Sequence, residues 1–365
     1  MPYINGIVVH MIIADVVKVV FPAVLSFGIG IAITPTIAHY LYKYKAWKKK
    51  STSATVDGKP APISQKLHND ENRKVPRMGG IVVWASVLIT IISAYLLGQI
   101  VGSSATVKLD FLSRDQTWIP LVTLIGGALV GLMDDILVIR PNGDGLPLRY
   151  RLLIVVVLSL FIGWWFWAKL DVVSVGFPFS DPITIGWLII PLFVITSLAL
   201  YASGIIDGID GLAGGVFASV FASYAIIAFV QNQINLAAFS LSVVGGLLAF
   251  LWFNIPPARF YLSDTGTMSL TLTIAVLAFM TDTLGEGIGI TVLPIIGALL
   301  VVTVGSVILQ VFVWKKFLHR KLLLVTPIHN HFQAIGWPGY KVTMRYWVLS
   351  IIFASAGVIL ALVAI

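Results

Sequence analysis

The sequence predicts an all-α integral membrane protein of about ten spans, with both termini outside. Three observations carry that reading. The 365 residues are 58% hydrophobic and only 11% charged, with mean hydropathy +0.96, which excludes a soluble globular domain of ordinary composition. The apolar residues collect in runs close to the ~20 residues that a helix needs to cross a bilayer. The basic residues gather between those runs, on alternate sides.

Taken in order, the spans are expected at 19–42, 80–101, 118–133, 152–168, 183–206, 212–230, 236–253, 267–281, 288–313 and 342–365. The third and eighth are short and need their flanks to complete a crossing. The first run lacks the basic lead and small-residue cleavage site of a secretory signal, so it is expected to be a retained helix. The whole of 1–365 reads as one membrane domain, with no internal repeat. Gly127 and Gly131 form a small-xxx-small pair suited to close helix packing. There is no cysteine, hence no disulfide framework or thiolate metal site.

Lys and Arg set the orientation. With the N-terminus outside, the inside connections are 43–79, 134–151, 207–211, 254–266 and 314–345, and they hold 20 of the 24 basic residues. The formal charge of +8 therefore reports topology, and no nucleic-acid partner is expected.

Five aspartates fall on that same inside face. Asp134 and Asp135 end the run Gly131-Leu132-Met133, where an unpaired aspartate at mid-bilayer would cost roughly 2.5–3.5 kcal/mol. Asp207 and Asp210 stand in Asp207-Gly208-Ile209-Asp210-Gly211, and Asp264 in Ser263-Asp264-Thr265-Gly266. Turn or capping duty explains any one of them but not all five together. Carboxylates without thiolates suit a hard cation such as Mg²⁺, which takes one or two carboxylates plus substrate phosphates. Asp207 and Asp210, three apart, would share a face if helical. His329 and His331 lack a third ligand at zinc spacing and suit hydrogen bonding or charge to a phosphate. Lys74 and Arg77 are either pyrophosphate contacts or ordinary interface charges.

Together these stretches resemble the polyprenyl-phosphate N-acetylhexosamine-1-phosphate transferases. The likeness runs through Pro76-Arg77-Met78-Gly79-Gly80, both aspartate motifs, Leu251-Trp252-Phe253-Asn254 and Phe260-Tyr261-Leu262-Ser263-Asp264. It continues through Ser306-Val307-Ile308-Leu309-Gln310 and Pro327-Ile328-His329-Asn330-His331-Phe332 to Gly336-Trp337-Pro338 and Arg345-Tyr346-Trp347. The C-terminal stretch favours the muramoyl-pentapeptide branch.

The resemblance implies a homodimeric enzyme in the cell membrane with a cytoplasmic cleft and one Mg²⁺. It would move phospho-N-acetylmuramoyl-pentapeptide from a UDP donor to undecaprenyl phosphate, releasing UMP. By position it implies Asp264 and Asp135 as metal ligands, and Asp134 and Asp135 as the carboxylates next to the reacting phosphates. Asp207 would contact uridine and Tyr261 would stack on uracil, while Asn254, Asp210, His329 and His331 would line the cleft. Four departures bear on the donor sugar: Asn330 interrupts a three-histidine run, Tyr201 and Gly204 replace asparagines, and Asp144 replaces a lysine. Arg77 is similar to the N-acetylglucosamine branch, which makes that UDP-sugar the alternative donor. A secondary transporter, the rival of another class, is disfavoured because the carboxylates collect at one end and no repeat is visible.

Overall fold

The computed structural model describes residues 2–47, 74–102, 109–113, 116–141, 143–314 and 321–364. Much of the expected connection 43–79 and part of 314–345 thus lie outside the described residues.

Twelve helices make up the described chain: α1 (Pro2–Lys43), α2 (Gly80–Val101), α3 (Trp118–Val138), α4 (Leu148–Lys169), α5 (Ile189–Ser203), α6 (Leu212–Val230), α7 (Ile234–Asn254), α8 (Ser263–Met280), α9 (Gly289–Ile296), α10 (Ala298–Ile308), α11 (Ile328–Ala334) and α12 (Gly339–Val363). Among the described residues, nine helices are long and apolar enough to cross a membrane, and the bent pair α9–α10 makes a tenth crossing if counted as one. The protein is a polytopic all-α membrane protein.

Helix α8 is the axis of the bundle. It packs chiefly on α3 and α5, and also touches α2, α6 and α9. Its mean hydropathy of 1.2 is the lowest of the nine, against 2.0–2.3 for the rest, and it is the most deeply buried. The two facts belong together: small Ser and Thr residues are favoured where helices pack closely away from lipid, and here their hydroxyls bond back to the helix's own carbonyls. Thr271 donates to the Thr267 carbonyl, Thr273 to Ser269 and Ser269 to Gly266, each at 2.7–2.8 Å. Glycines let the backbones meet. A Cβ on Gly127 would lie 2.8 Å from the Ser269 Cα, and one on Gly131 would overlap the Asp264 carbonyl.

Three expectations are corrected. The span expected at 288–313 is not straight but turns by 70° between α9 and α10, at Gly297 and one turn after Pro294, residues that weaken the ladder. The span expected at 183–206 is shorter, because a hairpin of β1 (Ser174–Phe177) and β2 (Ser180–Thr184) precedes it. Helix α3 continues past Met133 to Val138, so Asp134 and Asp135 are helical residues facing protein.

At the end of the bundle opposite those aspartates, Asp282 ties three elements together. Its carboxylate accepts from the Gly176 N–H of β1 at 2.7 Å and the Ile290 N–H of α9 at 2.9 Å, just past the end of α8. Burial pushes its pKa up to about 6, against these backbone donors.

Candidate active site

The site begins with a strap. Residues 76–80 run beside 261–263: Tyr261 N–H donates to the Pro76 carbonyl (2.9 Å), Gly79 N–H to Tyr261 (2.7 Å) and Gly80 N–H to Leu262 (3.1 Å). Met78 N–H reaches the Ser263 hydroxyl at 2.7 Å. Both Met78 (φ 69°) and Ser263 (φ 54°) adopt left-handed backbone, which non-glycine residues seldom do. The turn at Met78 delivers Arg77 inward, and the turn at Ser263 starts α8.

Arg77 bridges two carboxylates, with Nε 2.8 Å from Asp135 Oδ1 and a terminal nitrogen 3.0 Å from Asp264 Oδ2. Asp135 is fully buried, and its other oxygen accepts from the Ser263 hydroxyl (2.6 Å), the Thr265 N–H (2.9 Å) and the Thr265 hydroxyl (2.6 Å). Four donors fill the acceptor capacity of a carboxylate. Asp135 therefore clamps α3, the strap and the first turn of α8 together.

Asp134 faces the same space. Its Oδ1 accepts from the Leu146 N–H at 2.5 Å. Its buried Oδ2 has no hydrogen-bond donor, though Arg151 stands 3.2 Å away. Arg151 also lies 3.8 Å from Asp264, is steadied by the Leu146 carbonyl at 2.8 Å and meets the Tyr201 hydroxyl. Asp264 feels the carboxylates of Asp135 and Asp134 at once, and its side chain stays 25% accessible where Asp134 and Asp135 are sealed.

Asp207 and Asp210 do not share a helix face. They occupy the turn between α5 and α6, which ends at left-handed Gly211. Asp207 accepts from the Ser263 N–H at 2.7 Å; burial pushes its pKa up to about 6, opposed by that N–H and by Arg77. Asp210 accepts from the Ala258 N–H at 3.0 Å. Buried Asn254 joins the two halves of this wall, accepting from the Gly211 N–H (2.9 Å) and donating to the Phe260 carbonyl (2.8 Å). Tyr261 flanks them, partly exposed on the strap.

His329, buried on α11, lies edge-on to Tyr346 and against Gly208, where an added Cβ would come within 3.0 Å of its Nε2. It thus borders the Asp207 turn. His331 accepts from the Leu324 N–H at 3.2 Å through Nδ1. Lys74 is exposed and forms no ion pair with a described residue. Of the departures, Tyr201 contacts Arg151, Gly204 faces Thr267 and Asp144 is exposed.

The structure thus brings Asp134, Asp135, Asp264 and Arg77 into direct contact, with Asp207, Asp210, Asn254, Tyr261 and His329 forming an adjoining wall. Arg151 escaped the sequence reading because a basic residue opening a span counts first as a topology charge. Ser263 and Thr265 escaped because nothing marks a hydroxyl as a carboxylate's partner except the fold. No three of His, Cys, Asp and Glu among the described residues form a ready cage for a metal. The donor set nevertheless suits a hard divalent ion: the donor-free Oδ2 of Asp134 and the accessible carboxylate of Asp264 are oxygens of the kind Mg²⁺ takes alongside substrate phosphates.

Known proteins match this chain over the same stretch and beyond it. The profile of the family described as Glycosyl transferase family 4 matches residues 117–282, from the start of α3 to Asp282. Curated relatives named phospho-N-acetylmuramoyl-pentapeptide-transferase match over greater lengths. That of Anoxybacillus flavithermus is 28% identical over 93% of this chain and 97% of its own, and that of Bacillus velezensis 29% over the same shares. The Listeria innocua protein is 29% identical over 80% of this chain and 86% of its own. The family profile covers the two helices that carry Asp134, Asp135 and Asp264 and the turn that carries Asp207 and Asp210, and the chain is a membrane-embedded transferase similar over this stretch to glycosyl transferase family 4.

Proposed function

We propose that the protein transfers phospho-N-acetylmuramoyl-pentapeptide from its UDP donor to undecaprenyl phosphate, giving the lipid-linked sugar of peptidoglycan synthesis and UMP. The observation that supports this most is that Asp134 and Asp135 of α3 face Asp264 of α8, with Arg151 between Asp134 and Asp264 and Arg77 between Asp135 and Asp264. That is an acidic, arginine-lined seat for phosphates. It rests at one end of the bundle, which the placement of Lys and Arg assigns to the cytoplasm.

Phosphoryl transfer needs charge neutralisation and alignment more than covalent work. Asp264, with Asp134, would hold Mg²⁺, which supplies charge neutralisation at the phosphates. Asp135 takes the positioning role, because its oxygens are already filled by Arg77, Ser263 and Thr265. The acceptor's phosphate, with its second pKa near 6, is mostly dianionic at neutral pH. Its oxygen attacks the sugar-bearing phosphorus directly while the bond to the UMP oxygen breaks. No general base is required, and Asp134 acts through its charge and its hold on Arg151. Asp207, Asp210, Asn254 and Tyr261 form the wall suited to uridine, and His329 and His331 border it.

A second donor is favoured by one observation: Arg77, at the centre of the site, stands where the muramoyl branch has threonine. UMP release by purified protein with Mg²⁺ and undecaprenyl phosphate, comparing UDP-N-acetylmuramoyl-pentapeptide with UDP-N-acetylglucosamine, tests both. Faster release from the first donor is expected. Faster release from the second moves the chain to the other branch, and none from either defeats the proposal.

A further inference from the structure

Arg77 and Asp264 pose a question that transfer chemistry leaves open: the carboxylate best placed to take a cation already holds one. The pair lies where the cleft reaches it, with both side chains about one-quarter accessible, whereas Asp135 at the other end of the same guanidinium is sealed. The strap fixes Arg77 from behind, through its N–H to the Ala46 carbonyl at 2.7 Å. Three carboxylates thus share two arginines, Arg77 and Arg151.

We infer that Arg77 is a built-in counter-ion that competes with the divalent cation for Asp264 and links cation binding to the arrival of the donor's pyrophosphate. The inference rests on the reading of Asp264 as a metal ligand. Its bond to Asp135 tethers Arg77 while the accessible bond to Asp264 is surrendered, so the guanidinium swings about a fixed point. Without a phosphate ligand the exchange is unfavourable, because a divalent ion at Asp264 would face an arginine a few ångströms away. A pyrophosphate removes the obstacle, since its paired oxygens match the guanidinium fork better than one shared carboxylate oxygen does. Cation and pyrophosphate then bind as partners, each raising the other's affinity by the same factor.

The test is Mn²⁺ binding to the full-length protein in detergent, followed by electron paramagnetic resonance with and without UDP. Wild type should bind Mn²⁺ weakly alone and at least tenfold more tightly with UDP. Arg77→Gln should bind Mn²⁺ alone about tenfold more tightly than wild type, since a like charge at contact distance has gone, and should gain little from UDP. Arg77→Lys, which keeps the charge but cannot bridge both carboxylates, should fall between, and thermal unfolding without metal checks that both variants fold. Wild-type affinity and wild-type UDP enhancement in both Arg77 variants would overturn the inference and leave the metal reading standing. Undiminished Mn²⁺ binding by Asp264→Asn would instead bring down the metal reading itself.

Discussion

Replacing Asp264 and replacing Asp135 should have different consequences, because Arg77 touches both but only Asp264 faces the cleft. Asp264→Asn is expected to abolish nearly all UMP release while leaving the unfolding temperature within a few degrees of wild type. Asp135→Asn should lower both. An amide offers one acceptor oxygen to the four donors around Asp135, and breaking a buried ion pair from one side costs about 3 kcal/mol. Unfolding curves beside turnover separate the two outcomes. The aspartates were legible in the sequence because a carboxylate beside an apolar run is expensive unless something holds it. Their division of labour was not legible. Whether a carboxylate is saturated or available depends on Ser263 and Thr265, which lie about 130 residues from Asp135.

Among the elements, the contact of α3 with α8 sets the site's dimensions. Gly131→Ala places a methyl against the Asp264 carbonyl, so the helices must part. Gly126→Ala, five residues away on α3, meets nothing within 4 Å. The first variant is expected to lose stability and most activity. The second should be neutral, or more stable by up to about 1 kcal/mol through helix propensity, and the pair measured together separates packing from propensity. The Asp282 turn carries a pH effect of its own. Its folded pKa of about 6 lies above the usual carboxylate value, so the folded state keeps the proton longer than the unfolded chain. The resulting stabilisation is complete below about pH 4 and is lost as pH rises through about 6. The unfolding temperature of wild type relative to Asp282→Asn should therefore rise as pH is lowered from 7.5 to 5. The spans were readable because hydropathy reports contact with lipid. The hairpin at 174–184 was not, since its short strands carry little pattern, and the bend at Gly297 was hidden within an unbroken apolar run.

For the whole molecule, orientation is the quantity that the basic residues predict and that labelling can decide. The chain has no native cysteine, so single cysteines at Asp144, exposed beside the site, and at Phe179, 72% exposed at the hairpin tip, report opposite faces. An impermeant thiol reagent should label the Phe179 position in intact cells and the Asp144 position only after permeabilisation. The reverse pattern would move the site to the outer face and remove the nucleotide donor from reach.

The burial of α8 also bears on how the protein comes to exist. A segment of mean hydropathy 1.2 with an aspartate in its first turn gains little by entering lipid alone, since its hydroxyls and carboxylate favour neighbours over acyl chains. Helices α2, α3, α5 and α6, which pack on it, are all synthesised before it and can present a slot. Entry of α8 into that slot closes the ion pairs around Arg77 and Arg151 in the same motion. Insertion of α8 and assembly of the carboxylate–arginine cluster thus become a single event, so a chain halted before α8 would hold most of its crossings and none of its activity.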